Sequence, residues 1–293
     1  MLGLVREVSK SIAVDGARRL VRASCVLLIC VFAAGCANPF GSNEEEDLAF
    51  TDKPADQLYN EGLAYLNAGD HKSALLTFED IDTYYPYSEY ARKALVLQAF
   101  THFSRGRYSE AAVAGRRFVT LYPGDEDAAY AQYIVGQSYF RQIASVERDQ
   151  AATRQAYQAL NDLVRKYPDS EYVADAREKM RIAQDQLAGK EMEVGRYYLQ
   201  RKQYSGAINR FRTVVEEYQT TRHVEEALAR LTESYYALGV VSEAKTAAAV
   251  LGTNYPDSEW YRDSYNLLQT GGHDPAVSTG SWIERAFGRV NPL

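Results

Sequence analysis

Residues 62–86 read Gly-Leu-Ala-Tyr-Leu-Asn-Ala-Gly-Asp-His-Lys-Ser-Ala-Leu-Leu-Thr-Phe-Glu-Asp-Ile-Asp-Thr-Tyr-Tyr-Pro. Leu75, Phe78, Ile81 and Tyr85 recur at intervals of three and four, which places them on one face of a helix. Pro86 stops that helix, because proline lacks an N–H and clashes with the preceding turn. The residue before it, Tyr85, is pushed towards extended backbone. The same ending returns at Tyr122-Pro123, Tyr167-Pro168 and Tyr255-Pro256, with Tyr218-Gln219 as a fifth version. The second residues of these pairs are 37, 45, 51 and 37 positions apart. Similar blocks follow three of them: Pro-Tyr-Ser-Glu-Tyr-Ala, Pro-Asp-Ser-Glu-Tyr-Val and Pro-Asp-Ser-Glu-Trp-Tyr. Their Asp-Ser and Tyr-Ser pairs are suited to cap the next helix. Self-similarity at this period denotes an array of helical repeats. Such arrays offer surfaces to other proteins.

Counting back from Pro86 as the end of a unit of about 34 residues, Gly62 and Ala74 fall at small positions, and Tyr65, Phe78 and Ile81 at large ones. This is the tetratricopeptide pattern. Two antiparallel helices approach closely only where a small side chain faces a large one. The unit ending at Gln219 repeats it with Gly195, Tyr198, Ala207, Phe211 and Val214. The unit ending at Pro256 has Tyr235, Ala244, Ala248 and Leu251; the one ending at Pro123 keeps Ala99 and Ala111, with His102 in the aromatic place. No long alternating stretch suggests strands. The expected fold is all-α, a tetratricopeptide-type solenoid of five helix pairs over 54–86, 88–123, 125–168, 170–219 and 221–256, closed by a final helix that ends near 270. Two units are long. In the third, Ala156 follows Gly136 and Tyr139 eight residues late. One added turn on each helix, around Ile143–Gln150, would absorb this, since a turn takes about four residues. In the fourth, Glu171–Leu187 reads as an additional or extended helix, running into or bending near Gly189. After Thr270 comes a tail, 271–293, whose Trp282, Ile283, Ala286, Phe287 and Val290 make a short amphipathic helix. That helix either caps the last unit or docks on a partner.

Arg18, Arg19 and Arg22 precede a 12-residue stretch, Ala23–Ala34, that is apolar apart from Ser24. A membrane span needs about 20 residues. A basic flank, a short apolar run and small residues match a secretory signal over 1–35. Ala33-Ala34-Gly35-Cys36 resembles the bacterial lipobox, with Ala33 where leucine is usual. Cleavage before Cys36 would expose a thiol for diacylglycerol and an amine for acylation. Anchoring by two kinds of chain is stable, each buried methylene contributing about 0.8 kcal/mol. Ordinary cleavage would instead leave Cys36 as a free thiol. Of the three cysteines, Cys25 and Cys30 lie in the removed segment. The mature chain thus keeps one and forms no internal disulfide. Residues 36–53 then read as an acylated cysteine and an acidic tether, with Glu44, Glu45, Glu46 and Asp47 in a row. Such a run is a solvated spacer before it is a cation site.

Losing residues 1–35 removes five of 33 Lys/Arg and two of 39 Asp/Glu, which leaves a balance of −9. A negative array has no electrostatic footprint for nucleic acid. Catalytic constellations do not emerge either. The four histidines, His71, His102, His223 and His273, are scattered. There is no His-Glu-x-x-His and no Gly-x-Ser-x-Gly. Gly271-Gly272 sits in the tail, away from any strand-to-helix turn. The expectation is a non-enzyme without cofactor or metal.

The first helices of such units line the inner face. Inward positions are Asp56, Tyr59, Leu63, Leu66 and Asn67 in the first unit, then Lys93, Val96, Phe100, Phe103 and Ser104 in the second. In the third they are Tyr130, Tyr133, Gln137, Phe140 and Arg141. An aromatic-rich groove suits an extended peptide with alternating aromatic side chains, because rings give contact area at small rotamer cost. Tyr59, Phe100, Phe103, Tyr130, Tyr133 and Phe140 are the candidate groove residues, and each can equally belong to the core.

The combination of Cys36, an acidic tether, Lys53-Pro54-Ala55-Asp56-Gln57-Leu58-Tyr59-Asn60-Glu61-Gly62 and five units with Tyr-Pro endings resembles the BamD family. These are tetratricopeptide lipoproteins of the outer-membrane β-barrel assembly machine. The resemblance implies a lipid-anchored scaffold on the periplasmic face of the outer membrane, palmitoylated at Cys36, and Ala37 after the cysteine agrees with that sorting. It implies contacts with the periplasmic domains of a BamA-type barrel subunit through the C-terminal units, and with accessory lipoproteins. It also implies that the N-terminal units receive unfolded outer-membrane proteins. The runner-up is a periplasmic repeat lipoprotein that coordinates cell division or envelope constriction. Such proteins often carry a coiled coil before the repeats, and none is apparent here. A cell-wall hydrolase with a repeat appendage would need a catalytic domain for which the chain lacks room.

Overall fold

The computed structural model describes residues 53–288. Cys36, the signal segment and the acidic tether lie outside the described residues. Twelve helices follow in order: α1 Ala55–Asn67, α2 His71–Tyr84, α3 Glu89–Ser104, α4 Tyr108–Leu121, α5 Ala128–Phe140 and α6 Ala151–Lys166. Then come α7 Val173–Gln200, α8 Tyr204–Glu217, α9 Val224–Ala237, α10 Val241–Asn254, α11 Glu259–Gln269 and α12 Trp282–Gly288. No strand occurs among the described residues. The first ten helices form five antiparallel pairs, each packed on the next, and α11 covers the end of the fifth. Neighbouring first helices touch (α1 with α3, α3 with α5, α5 with α7), whereas neighbouring second helices make no comparable contact. The stack therefore curves with its first helices inside.

The small-against-large rule holds in atoms. A methyl built on Gly62 would lie 2.9 Å from Phe78 Cδ1; one on Gly136 would lie 2.7 Å from Leu160 Cγ. Phe78, Leu160 and Phe211 have no exposed surface. Every unit-ending tyrosine, whether or not proline follows, leaves the helix with φ between −127° and −137°. Tyr85 and Tyr167 also tie unit ends to other segments, their hydroxyls donating to Lys53 O at 2.8 Å and Pro123 O at 3.1 Å. Ser88 caps α3, accepting from Ala91 N at 3.0 Å. Ser258 starts α11 without such a bond, so the capping expectation fails there. Three hairpins turn through a left-handed glycine, Gly69, Gly106 or Gly239; Lys202 holds that conformation in the fourth, with φ 58°.

One expectation about the long units is corrected and the other holds. The eight extra residues of the third unit do not lengthen its helices. Residues 141–150 form an irregular loop between α5 and α6. Gln150 holds it, its amide donating to Ser145 O at 2.9 Å and Arg148 O at 3.1 Å. The extra residues of the fourth unit, by contrast, do form helix. They fuse with its first helix into the 28-residue α7, which continues uninterrupted through Gly189. Gly189 is buried opposite His223 and Val146, so the glycine serves close packing there.

The tail helix α12 does not sit on the end of the array, where α11 already lies. It lies against the second helices of the fourth and fifth units, α8 and α10. Ile283 and Phe287 join the core formed by Ile208, Val215, Ala247 and Val250.

Candidate peptide-binding surface

All six candidate groove residues are half-buried. Tyr59 packs on the core of the first unit, and Phe100, Phe103 and Tyr130 on that of the second. Tyr133 packs against the cluster of Leu160, Leu163 and Ala176, and all six rings keep part of their surface exposed. Val96 and Gln137, expected to face the groove, are buried.

The aromatic residues on this side fall into two clusters. Tyr59 meets Tyr90 at 5.5 Å between centroids, and the Lys93 ammonium lies 5.4 Å from the Tyr90 ring. Asp127 follows, its carboxyl raised by burial and by Asp125 and Glu126 beside it. Tyr130 and Tyr133 both meet Tyr172, at 5.5 and 4.7 Å, the second pair stacked. Tyr133 donates its hydroxyl proton to Asp175 Oδ2 at 2.6 Å, while the Gln137 amide donates to both, at 2.5 and 3.0 Å. Lys179 pairs with Asp175, and its ammonium lies 5.7 Å from the Phe140 ring.

Electrostatics follow from this packing. Burial and then the bond to Asp175 push the Tyr133 hydroxyl up to about 12. Burial acts to raise Asp175, but bonds from Lys179 and Tyr133 outweigh it and leave the carboxyl below its usual range. The folded Tyr133 therefore holds its proton more tightly than the unfolded chain, whose tyrosines titrate near 10. Stability from this group is intact below about pH 10 and is lost as pH rises through about 12. Asp175→Asn removes the acceptor charge. The Tyr133 titration, followed by NMR of the ring, is expected to move down towards 10; an unmoved titration would show that burial alone sets it.

Tyr90 and Tyr172 were not singled out from the sequence, although a signal was there. Both are the aromatic of a Ser-Glu-Tyr block after a Tyr-Pro ending. The third such aromatic, Trp260, carries the Arg230 guanidinium 5.0 Å from its ring. His71 starts α2. His102 and His223 are half-buried, each lowered by desolvation. Among the described residues no group of three or more His, Cys, Asp or Glu side chains is gathered as a metal site, and no helix is long and apolar enough to cross a membrane.

Stacked antiparallel helix pairs define a helical-repeat protein of the tetratricopeptide type. Residues 51–251 match the family described as YfiO, outer membrane lipoprotein. Outer membrane protein assembly factor BamD of Caulobacter vibrioides is 43% identical over 251 residues, 86% of this chain and 81% of that protein. The protein of the same name from Rickettsia prowazekii is 39% identical over 84% of this chain and 96% of its own length. That of Neisseria meningitidis serogroup A is 34% identical over 77% and 88%. The chain belongs to the BamD family of outer membrane protein assembly factors.

Proposed function

We propose that this chain is a lipid-anchored scaffold of outer-membrane β-barrel assembly, held at the periplasmic face by acylated Cys36. Its inner face takes extended, aromatic-bearing segments of unfolded outer-membrane proteins. Its C-terminal units hold the periplasmic domains of the barrel subunit, beside accessory lipoproteins. It performs no bond-making reaction, in keeping with relatives that are named as assembly factors.

The observation that carries this reading is a pair of half-buried aromatic clusters on the first-helix side, Tyr59 with Tyr90 and Tyr130 with Tyr172 and Tyr133, with Phe140 under Lys179 beyond them. Rings fixed by their neighbours present apolar area with little rotamer freedom left to lose. Lys93 and Lys179 lie against the rings of Tyr90 and Phe140, each paired with a carboxylate of its own helix, Glu89 and Asp175.

A Tyr90→Ala/Tyr172→Ala variant tests it. Its affinity for a synthetic peptide with alternating aromatic residues is expected to fall about tenfold or more, equivalent to about 1.4 kcal/mol, while circular dichroism stays helical. Equal binding by the variant would remove the groove. Crosslinked pull-down from membranes tests the wider assignment: a barrel-forming subunit is expected, and division proteins alone would overturn it.

A further inference from the structure

The fourth and fifth units hold α12 in a groove between their second helices, α8 and α10. Trp282 Nε1 donates to the Tyr235 hydroxyl at 2.9 Å, and the Arg212 guanidinium lies 4.7 Å from the indole. Ser281 Oγ donates to Glu243 at 2.7 Å, and Ser278 N to Thr246 Oγ1 at 3.0 Å. Val215 and Ala247 form the apolar floor.

The same groove exists between the second and third units. Residues 108–140 correspond to 204–236 by a constant shift of 96, and 151–167 to 239–255 by a shift of 88. Arg116 then stands for Arg212, Tyr139 for Tyr235, Val119 for Val215, Ala159 for Ala247, Gln155 for Glu243 and Gln158 for Thr246. All six of the former line one open cavity of about 320 Å³. The Arg116 guanidinium lies 5.8 Å from the Tyr139 ring, whereas Arg212 meets the indole of α12. Val215 and Ala247 are 0% exposed, whereas Val119 and Ala159 are 9% and 8% exposed.

Charge separates the two grooves. Arg212 is paired with Glu216 at 2.9 Å. Thr120 occupies the position of Glu216, Gln155 that of Glu243 and Lys166 that of Asn254. The one carboxylate gained, Asp162 in place of Val250, is already engaged by Arg165 at 2.9 Å and Lys166 at 3.7 Å. The open groove is therefore the more positive one.

We propose that the groove between α4 and α6 is a docking site for a short amphipathic helix of another protein, one that leads with an aromatic ring and carries acidic residues. The filled groove shows what this geometry accepts. The lost carboxylates set the charge of the occupant. The proposal stands apart from the inner-face reading, since it concerns the second-helix side of the stack.

The probe is a fluorescein-labelled peptide of residues 278–292 carrying Arg285→Glu, followed by anisotropy against the full chain. Saturable binding is expected, weakened by salt. Gln158→Trp, at an exposed position, fills the groove, and Arg116→Glu reverses its charge. Each is expected to weaken binding about tenfold or more with unchanged thermal melting. Tyr172→Ala, on the inner face, is expected to leave it unchanged. Absence of saturable binding, retention in both groove variants, or loss in Tyr172→Ala would each overturn the proposal.

Discussion

Ile283→Ala is expected to lower stability by about 3 kcal/mol, within the range of about 2–5 for fully buried large-to-alanine changes. Ile283 has no exposed surface, although it belongs to a seven-residue helix near the end of the chain. It sits in one cluster with Val215, Val224, Ala247 and Val250, residues from both second helices and the first helix of the fifth unit. Removing its branched side chain leaves a cavity that three elements would have to close together. In a chain of this size about 3 kcal/mol corresponds to a melting shift of roughly 6–12 °C. Hydrogen exchange is expected to rise first in α8 and α10, because repeat arrays transmit stability mainly between neighbours. A loss below about 1 kcal/mol would show that the tail helix merely rests on the array.

Gly195→Leu is the second large effect. A Cβ at Gly195 would lie 2.8 Å from both Cδ1 and Cζ of Phe211, and Phe211 is fully buried. Glycine is the weaker helix former by about 1 kcal/mol, so an exposed site would gain from the change. Here overpacking of about 1–3 kcal/mol for a few extra methylenes works against that gain. With a whole isobutyl group the ring must leave its site, and a loss of about 3 kcal/mol or more follows. Phe211→Ala in the same chain makes room, so the double variant is expected to be less destabilised than the sum of the single changes by more than about 1 kcal/mol. Urea unfolding of the four chains reads this directly, and strict additivity would show that the two residues do not oppose each other.

The family follows from particular residues that are visible in the chain itself. The Tyr-Pro endings and the Gly–Phe pairing report local chemistry, helix termination and close helix approach, and both act within one unit. They are legible for that reason. Tyr218-Gln219 looked like a weak copy of the ending. In the structure Tyr218 leaves its helix like the others, and the Gln219 amide donates to Ala286 O at 3.0 Å in the tail helix. Proline could not make that bond. The departure is a contact over 67 positions, and no local pattern announces it.

Inner-face residues were legible by position only where the repeat kept its register. Tyr59, Phe100, Phe103, Tyr130, Tyr133 and Phe140 were placed on first helices this way, and all six are half-buried. Tyr90 and Tyr172 begin or precede their helices, outside the positions counted, and were missed. Gln137 was placed correctly on its helix but is buried, its amide donating to Tyr133 and to Asp175 of the neighbouring unit.

The amino-acid order by itself determined the helices, their pairing and where most of them stop, because spacing, small residues and proline act over a few turns. Only the tertiary structure decided that the eight surplus residues of the third unit become a loop instead of added turns, whereas the helix over 171–187 was already legible in the sequence. It alone decided where the tail lies. An amphipathic helix needs an apolar surface, and which one it finds depends on how the stacked units leave one groove filled and its counterpart open.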